Sequence, residues 1–537
     1  MTRYTSVTPE DRAQMLAAIG VASIDELFER QIPAGVRQQR PLELPAGMTE
    51  QDVYAHLRGL AARNVSCEDE ISFLGAGMYD HYVPALVDML CERSEFLTPY
   101  TPYQPEISQG GLQVMFEYQT AICELTALPV SNASVYEGPS ALAAAAYMAK
   151  LHNGRTRLVV SAGVHPHALQ TLRTYAHGYG MEVVEVPLCA GLTDVDAWRA
   201  AIDADTSAAI FAQPNFYGAV EDAEALSEAA HAAASGEGAE ADAALRSGRG
   251  AERNAPRGEQ RGTDGGGAAG DAGGRAEQRG TDAGGGTDAG GSARTRARAR
   301  GPASRHVVGG DGPVVVASVD PITLGILKPP GECGVDVAVG EGQPLGNRLD
   351  FGGPSFGLFA AREPYLRRMP GRIAGETVDI DGRRGFVLTL QTREQHIRRD
   401  RATSNICTSQ ALNALAGVVY LGWLGRRGLV ELGELLLART NYARSALTAL
   451  EGVHALHEQP VIRELAVRLD ADVAAVRARC ALGGVNPGAD IHALTGREQD
   501  RGGLLVALTE RRTRADIDRL ADVLGAAVAS ERQAVVA

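Results

Sequence analysis

LVVSAGVHPHALQTLRTYAHGYGMEVVEVPL, residues 158–188, holds two short β-branched runs on either side of a helix-forming segment. SAAIFAQ (207–213) and VVVASVD (314–320) continue the series, with helical stretches between them. A strand, a helix and another strand, repeated, reads as a mostly parallel α/β sheet. Working outward, residues 71–230 and 314–361 read as one large α/β domain and residues 1–70 as a helical arm. In the arm, Thr8-Pro9-Glu10-Asp11 has the proline and acids of a helix start. Residues 362–537 read as a smaller α+β domain: a hairpin over 376–390 turning at Asp381-Gly382, then long helices from Ser404 onward.

Residues 231–313 interrupt this pattern. They are Gly, Ala, Arg, Asp and Thr with almost no large apolar side chain, so burial cannot offset their ordering entropy, and they read as a disordered low-complexity insertion. EQRGTD occurs at 259–264 and again at 277–282, the mark of low-complexity expansion. The basic run 294–305 leaves a partner-binding tail as the competing reading.

The chain has 537 residues and 45% hydrophobic content, enough for more than one core. A formal net charge of -14 argues against a surface that neutralises phosphate backbones, so nucleic acid is not an expected partner. Of 52 basic residues only two are lysine, Lys150 and Lys328. Cysteines at 67, 91, 123, 189, 333, 407 and 480 form no Cys-x-x-Cys pair and no disulfide framework, which fits a reducing cytoplasm. No apolar run approaches a membrane span, and the first residues do not read as an export signal.

Several chemistries are excluded. Neither lysine precedes Ser or Thr, so there is no Walker-type phosphate loop, and Gly340, Gly342 and Gly346 are spaced wrongly for a dinucleotide fingerprint. His165 and His167 lack ligand partners at recognisable spacing, so no metal is expected. Ser and Cys residues near His are too many to choose among, so hydrolase chemistry is not signalled. NASVYEGPSALAAAA (132–146) is a polar turn opening a small-residue helix. It suits either a phosphate at the helix N-terminus or a plain helix cap, and Pro139 removes one donor from such a cradle.

Seven runs, in order, resemble the N-terminal half or subunit of the glycine cleavage P-protein family. They are FLGAGMYDHYVP (73–84), TPYTPYQPEISQG (98–110), NASVYEG (132–138), QPNFYGAVED (213–222), LKPPGECGVDVAVGEGQPLG (327–346), FGGPSFGLFA (351–360) and REQHIRRDRATSNIC (393–407). The resemblance spans nearly the whole chain outside the insertion. It implies a fold-type-I pyridoxal-phosphate-dependent transferase-like large domain, akin to aspartate aminotransferase, with the smaller domain behind it. It also implies a reaction in which glycine binds pyridoxal phosphate, CO2 leaves, and the aminomethyl group passes to the lipoyl arm of H-protein.

That chemistry depends on a lysine amine. In the catalytic half of the family the lysine follows the strand that GVDVAVG matches; here the stretch continues GEGQPLG, which puts Gln343 or Pro344 in its place. Lys328 lies on the far side of that strand before Pro329-Pro330, and Lys150 is on the helix of the 132–146 turn. The resemblance therefore implies a cytoplasmic subunit with no Schiff-base lysine, its pyridoxal phosphate held by a lysine-bearing P-protein subunit 2, and lipoylated H-protein as the second partner. Tyr100, Thr101, Tyr103 and Gln104 are the expected groups facing the partner's cofactor, with a mere interface cap as the alternative. Arg393, His396 and Arg398, with Arg399, are the expected surface for the glycine carboxylate or H-protein, or else pair with Glu394 and Asp400 ahead of a helix capped by Thr403 or Ser404. His165 falls where this fold stacks a ring on the cofactor, and Asp320 lies near the place of the pyridine-nitrogen acid, a few residues out of register. Two other readings stay open: a self-sufficient decarboxylase or desulfurase using Lys328, and a non-catalytic H-protein-binding paralogue.

Overall fold

The apolar runs pair into one seven-stranded sheet in the computed structural model, which describes residues 6–38, 40, 42–235, 312–389, 399, 406 and 409–536. In chain order its strands are β1 (Val130–Ser131), β2 (Arg157–Ser161), β3 (Glu182–Val186), β4 (Thr206–Gln213), β5 (Val314–Val319), β6 (Val337–Glu341) and β7 (Gly357–Ala361). Across the sheet they run β1-β7-β6-β5-β4-β2-β3. β3, β2, β4, β5 and β6 are parallel, and β7 alone runs against its neighbours β6 and β1. Side chains alternate between faces, and both faces are covered. Leu158, Ile210, Val316 and Phe359 pack on one side and Val159, Phe211, Val315 and Leu358 on the other, which is why these runs show no polar alternation.

Helices supply the covers. Up to Val65 the chain forms a unit of its own: α1 (Pro9–Ile19), α2 (Ile24–Gln31) and α3 (Glu50–Ala61), none with a buried residue. Thr8 caps α1 by reciprocal bonds with Asp11, as its sequence predicts. In the second unit, α4 (Gln109–Thr126) and α7 (Ala223–Ser235) cover one sheet face, and α5 (Gly138–Asn153) and α6 (Pro166–Tyr179) the other. α7 runs five residues into the segment read as insertion, because His231 is held by Asp336 at 3.1 Å. Residues 236–311 lie outside the described residues.

The C-terminal segment divides its packing. The hairpin β8 (Ile373–Val378) and β9 (Arg384–Thr389) starts three residues earlier than the sequence suggests and packs against α4 through Phe386 and Ala374, beside the large sheet. Its turn includes Gly382, whose φ of 77° favours glycine. α8 (Ala411–Thr448) is broken at Gly425, where φ is 61° and ψ 178°. Before the break and just after it, Ala414, Tyr420 and Leu429 join the core of the large sheet; further on, Ala443 and Leu447 join a separate core. That core lies under a four-stranded antiparallel sheet, β10 (Val453–Ala455), β11 (Glu464–Leu469), β12 (Ala489–Asp490) and β13 (Gly503–Ala507), ordered β10-β11-β13-β12. α9 (Val473–Leu482) and α10 (Arg514–Val536) close it.

No helix among the described residues is long and apolar enough to cross a membrane. Phe359 on β7 is wholly buried, so Phe359→Ala is expected to cost about 3–5 kcal/mol. A shift in thermal unfolding midpoint by calorimetry checks this.

Candidate functional site

Parallel strands of an α/β sheet present their C-terminal ends to a common crevice, because the loops that follow are free to carry function. Here that edge gathers Asp320, directly after β5, Gln343, two residues past β6, and His165, the N-cap of α6 after β2. The N-terminus of α5 opens beside them through Glu341, the last residue of β6.

Gln343 is fully buried. Its Oε1 accepts from the Tyr79 backbone N–H at 2.9 Å, and its Nε2 donates to the carbonyls of Tyr79 at 3.0 Å and Asn347 at 2.9 Å. An amide cannot be a nucleophilic amine, and both amide hydrogens are already used.

Asp320 faces a cation. Arg463 Nη1 lies 3.0 and 2.9 Å from its two carboxylate oxygens, and Arg463 is only 2% exposed. The guanidinium carbon sits 3.5 Å from the centre of the Tyr79 ring, a close cation–π stack. Arg463 has a φ of 69°, a left-handed conformation that turns its side chain inward just before β11. The next residue, Glu464, accepts from the Ala76 N–H at 2.7 Å and hydrogen-bonds the Tyr79 hydroxyl. Burial pushes its carboxyl up to about 7, against these bonds and the Arg463 charge, which favour ionisation. Space here is tight: a Cβ on Gly75 would come 2.3 Å from Ala507 Cβ and 2.6 Å from Glu464 Oε1.

His165 is turned to the same segment. Its Nε2 lies 2.8 Å from the Ala76 carbonyl, so Nε2 carries the proton, while Nδ1 accepts from the His167 N–H at 3.1 Å. Burial lowers its pKa to about 4 and keeps it neutral. Its ring meets Phe216 edge to face at 5.2 Å.

At α5 the first amides are all accounted for. Gly138 N–H donates to Glu341 Oε2 at 3.0 Å, Pro139 has none, Ser140 N–H donates to Glu137 Oε1 at 2.8 Å, and Ala141 N–H to the Glu137 carbonyl at 3.0 Å. Of the two readings of the 132–146 turn, the cap is the one built here. Glu341 also accepts from the Gln343 N–H at 3.0 Å and from the Ser355 hydroxyl; burial raises its carboxyl above the ordinary value, opposed by these donors.

The loop before α4 is anchored and outward-facing. Arg372 bonds the Thr101 hydroxyl and Pro102 is buried, while Tyr100 and Tyr103 are 74% and 75% exposed and Gln104 is exposed. Arg393, His396 and Arg398 lie outside the described residues. Lys328 is exposed and paired with Glu224 at 2.9 Å, which raises its pKa, the opposite of what a Schiff-base amine needs. No cluster of three or more metal-ligating side chains occurs among the described residues. Sequence reasoning missed Tyr79, Glu341, Arg463 and Glu464. Tyr79 and Glu341 stand inside runs quoted for the resemblance, but nothing local marks Arg463 or Glu464.

Residues 2–243 and 308–524 match the family model described as glycine cleavage system P-protein. A curated protein of Carboxydothermus hydrogenoformans, named probable glycine dehydrogenase (decarboxylating) subunit 1, is 42% identical over 97% of this chain and 99% of its own length. A crystal structure of glycine decarboxylase (P-protein) of the glycine cleavage system, in inhibitor-bound form, superposes with a TM-score of 0.76 at 35% identity, covering 98% of this chain and 99% of that one. Sphingosine-1-phosphate lyase of Burkholderia pseudomallei shares the fold, with a TM-score of 0.55 at 16% identity over 95% and 96% of the two chains.

The raised Glu464 carboxyl has a signed consequence. Its proton is held more tightly in the folded chain, so the stability it contributes is full below about pH 4.5 and is lost as pH rises through about 7. Glu464→Gln removes this dependence. Glu464 keeps slight exposure, so the variant is expected to gain about 1–3 kcal/mol on wild type between pH 5 and pH 8. Denaturant melts of both proteins at the two pH values check it. Parallel melts would show that Glu464 titrates normally.

Proposed function

The chain belongs to the glycine cleavage system P-protein family, and from that premise we propose that it is the subunit of glycine decarboxylase that carries no cofactor lysine and works with a lysine-bearing partner in the cytoplasm. Its fold is that of the fold-type-I pyridoxal-phosphate enzymes. The observation that supports the reading is Gln343, which the family resemblance puts at the place of the Schiff-base lysine: it is a buried amide whose hydrogens are both bonded to backbone carbonyls. Pyridoxal phosphate, held by the partner, supplies the electron sink that lets glycine lose CO2, after which the aminomethyl group goes to the lipoyl group of H-protein.

This chain's share of the work is positional. Tyr100, Thr101, Tyr103 and Gln104 form a loop whose hydroxyl and amide groups suit a phosphate or carboxylate across a subunit interface. Arg372 and buried Pro102 hold it, so little ordering entropy remains to be lost on assembly. Arg393, His396 and Arg398 are proposed to bind the glycine carboxylate or an acidic face of H-protein. Against the Lys328 reading stands its pairing with Glu224 on the surface.

Glycine-dependent CO2 exchange with lipoylated H-protein is expected only when both subunits are present. Full exchange by the partner alone would move this chain to the non-catalytic paralogue. Tyr100→Phe and Tyr103→Phe are expected to lower the exchange rate on the order of ten- to a hundredfold while the subunits still co-elute; unchanged rates would leave the loop a simple interface cap.

A further inference from the structure

A phosphorylated pyridine presents three features to this fold: a carbonyl carbon to a lysine, a ring nitrogen to an acid, and a phosphate to a helix N-terminus. The acid and the helix N-terminus exist here, each engaged by a side chain of this protein, and Gln343 stands where the resemblance puts the lysine. Glu341 brings an acid group to the α5 N-terminus, where Gly138 N–H meets it at 3.0 Å. Arg463 brings a cation to Asp320 at 2.9 Å. The flat Tyr79 ring lies against that cation, and Gln343 grips the Tyr79 backbone on both its N–H and its carbonyl. Around them His165 bonds the Ala76 carbonyl and Glu464 the Ala76 N–H.

We propose that the cofactor site of this chain is sealed by a protein-built counterpart of the cofactor, acid for phosphate, guanidinium for pyridinium and phenol ring for pyridine ring, so that the chain folds without pyridoxal phosphate and does not admit it. The residues do not fit the group. A site emptied of its cofactor leaves a partly buried Asp320 unpaired and helix amides unsatisfied, and each such group costs stability, the charge most. Every one of those groups has a partner here. The contacts also leave no slack at the cradle, where a Cβ on Gly138 would lie 3.0 Å from the Glu341 nitrogen. This goes beyond the subunit assignment, since it concerns this chain alone and stands or falls without any activity.

The test is thermal unfolding of the full chain, titrated with pyridoxine 5′-phosphate, which has no aldehyde for Lys150 or Lys328 to capture, and with inorganic phosphate. Phosphate is read against chloride at matched ionic strength, because it also stabilises proteins by exclusion from their surface. The wild-type midpoint is expected to stay put with pyridoxine 5′-phosphate. Glu341→Ala is expected to melt lower and to recover part of the loss, saturably, with inorganic phosphate alone. Gln343→Lys mixed with pyridoxal phosphate is expected to give no borohydride-stable adduct at position 343. A saturable rise of the wild-type midpoint, an adduct at position 343, or a folded Glu341→Ala chain that ignores phosphate would each overturn the proposal. Should Glu341→Ala fail to fold, the wild-type titration decides. Loss of exchange activity in the two-subunit mixture would bear on the function and leave this inference untouched.

Discussion

Asp320 and Arg463 form the contact on which the rest of the site depends. Arg463 is a guanidinium almost wholly removed from water, and removing a partner from such a buried pair costs about 3–5 kcal/mol because the remaining charge is left uncompensated. The pair also sustains a strained backbone: a non-glycine residue at a φ of 69° costs of order 1–3 kcal/mol unless its surroundings hold it there. Asp320 follows β5 of the large sheet and Arg463 precedes β11 of the small one, so the ion pair is one of the contacts that join the two sheets. The ring of Tyr79 is positioned under it.

From Tyr79 the constraint passes along a chain of bonds. Tyr79 is gripped by Gln343, the Gln343 N–H reaches Glu341, and Glu341 takes the first amide of α5. Asp80 extends the segment the other way, held by Arg511 and Arg512, while the Thr509 hydroxyl donates to its carbonyl at 2.8 Å. Phe73, at the start of the segment, is stitched between the Asn486 carbonyl and the Ala507 N–H. Hydrogen bonds in a low-dielectric interior polarise one another, and a network with nearly every member satisfied is rigid for that reason.

That rigidity bears on the proposed division of labour. A loop that completes another subunit's active site must keep its shape in the absence of the ligand, since misplacement by an ångström is costly to catalysis. The Tyr100–Tyr103 loop meets this need through Arg372, which lies one residue before the hairpin strand β8. The Gln109 side chain ties the start of α4 to Phe386 on the other hairpin strand, accepting from its N–H at 2.8 Å and donating to its carbonyl at 2.9 Å. The two tyrosines are left facing outward on a frame tied down on its inner side.

The parallel sheet was legible because strands covered on both faces are continuous apolar runs, a signal carried by neighbouring residues. That no lysine follows β6 was legible too, since the chain has only two lysines, at 150 and 328. The hairpin's start and the end of α7 were misplaced by a few residues, because Phe386 packing on α4 and His231 bonding Asp336 are contacts that no local pattern announces. Which distant groups meet Asp320, Gln343 and Glu464 was not legible at all. Asp320 looked out of register in the sequence, and its role appears only with a partner 143 residues away; Gln343 meets Tyr79 across 264 residues and Glu464 meets Ala76 across 388. Composition and periodicity act over a few residues and so decide elements and the loss of a reactive group, whereas which buried charge meets which is decided only when folding brings distant segments together and excludes the water that would otherwise have solvated them.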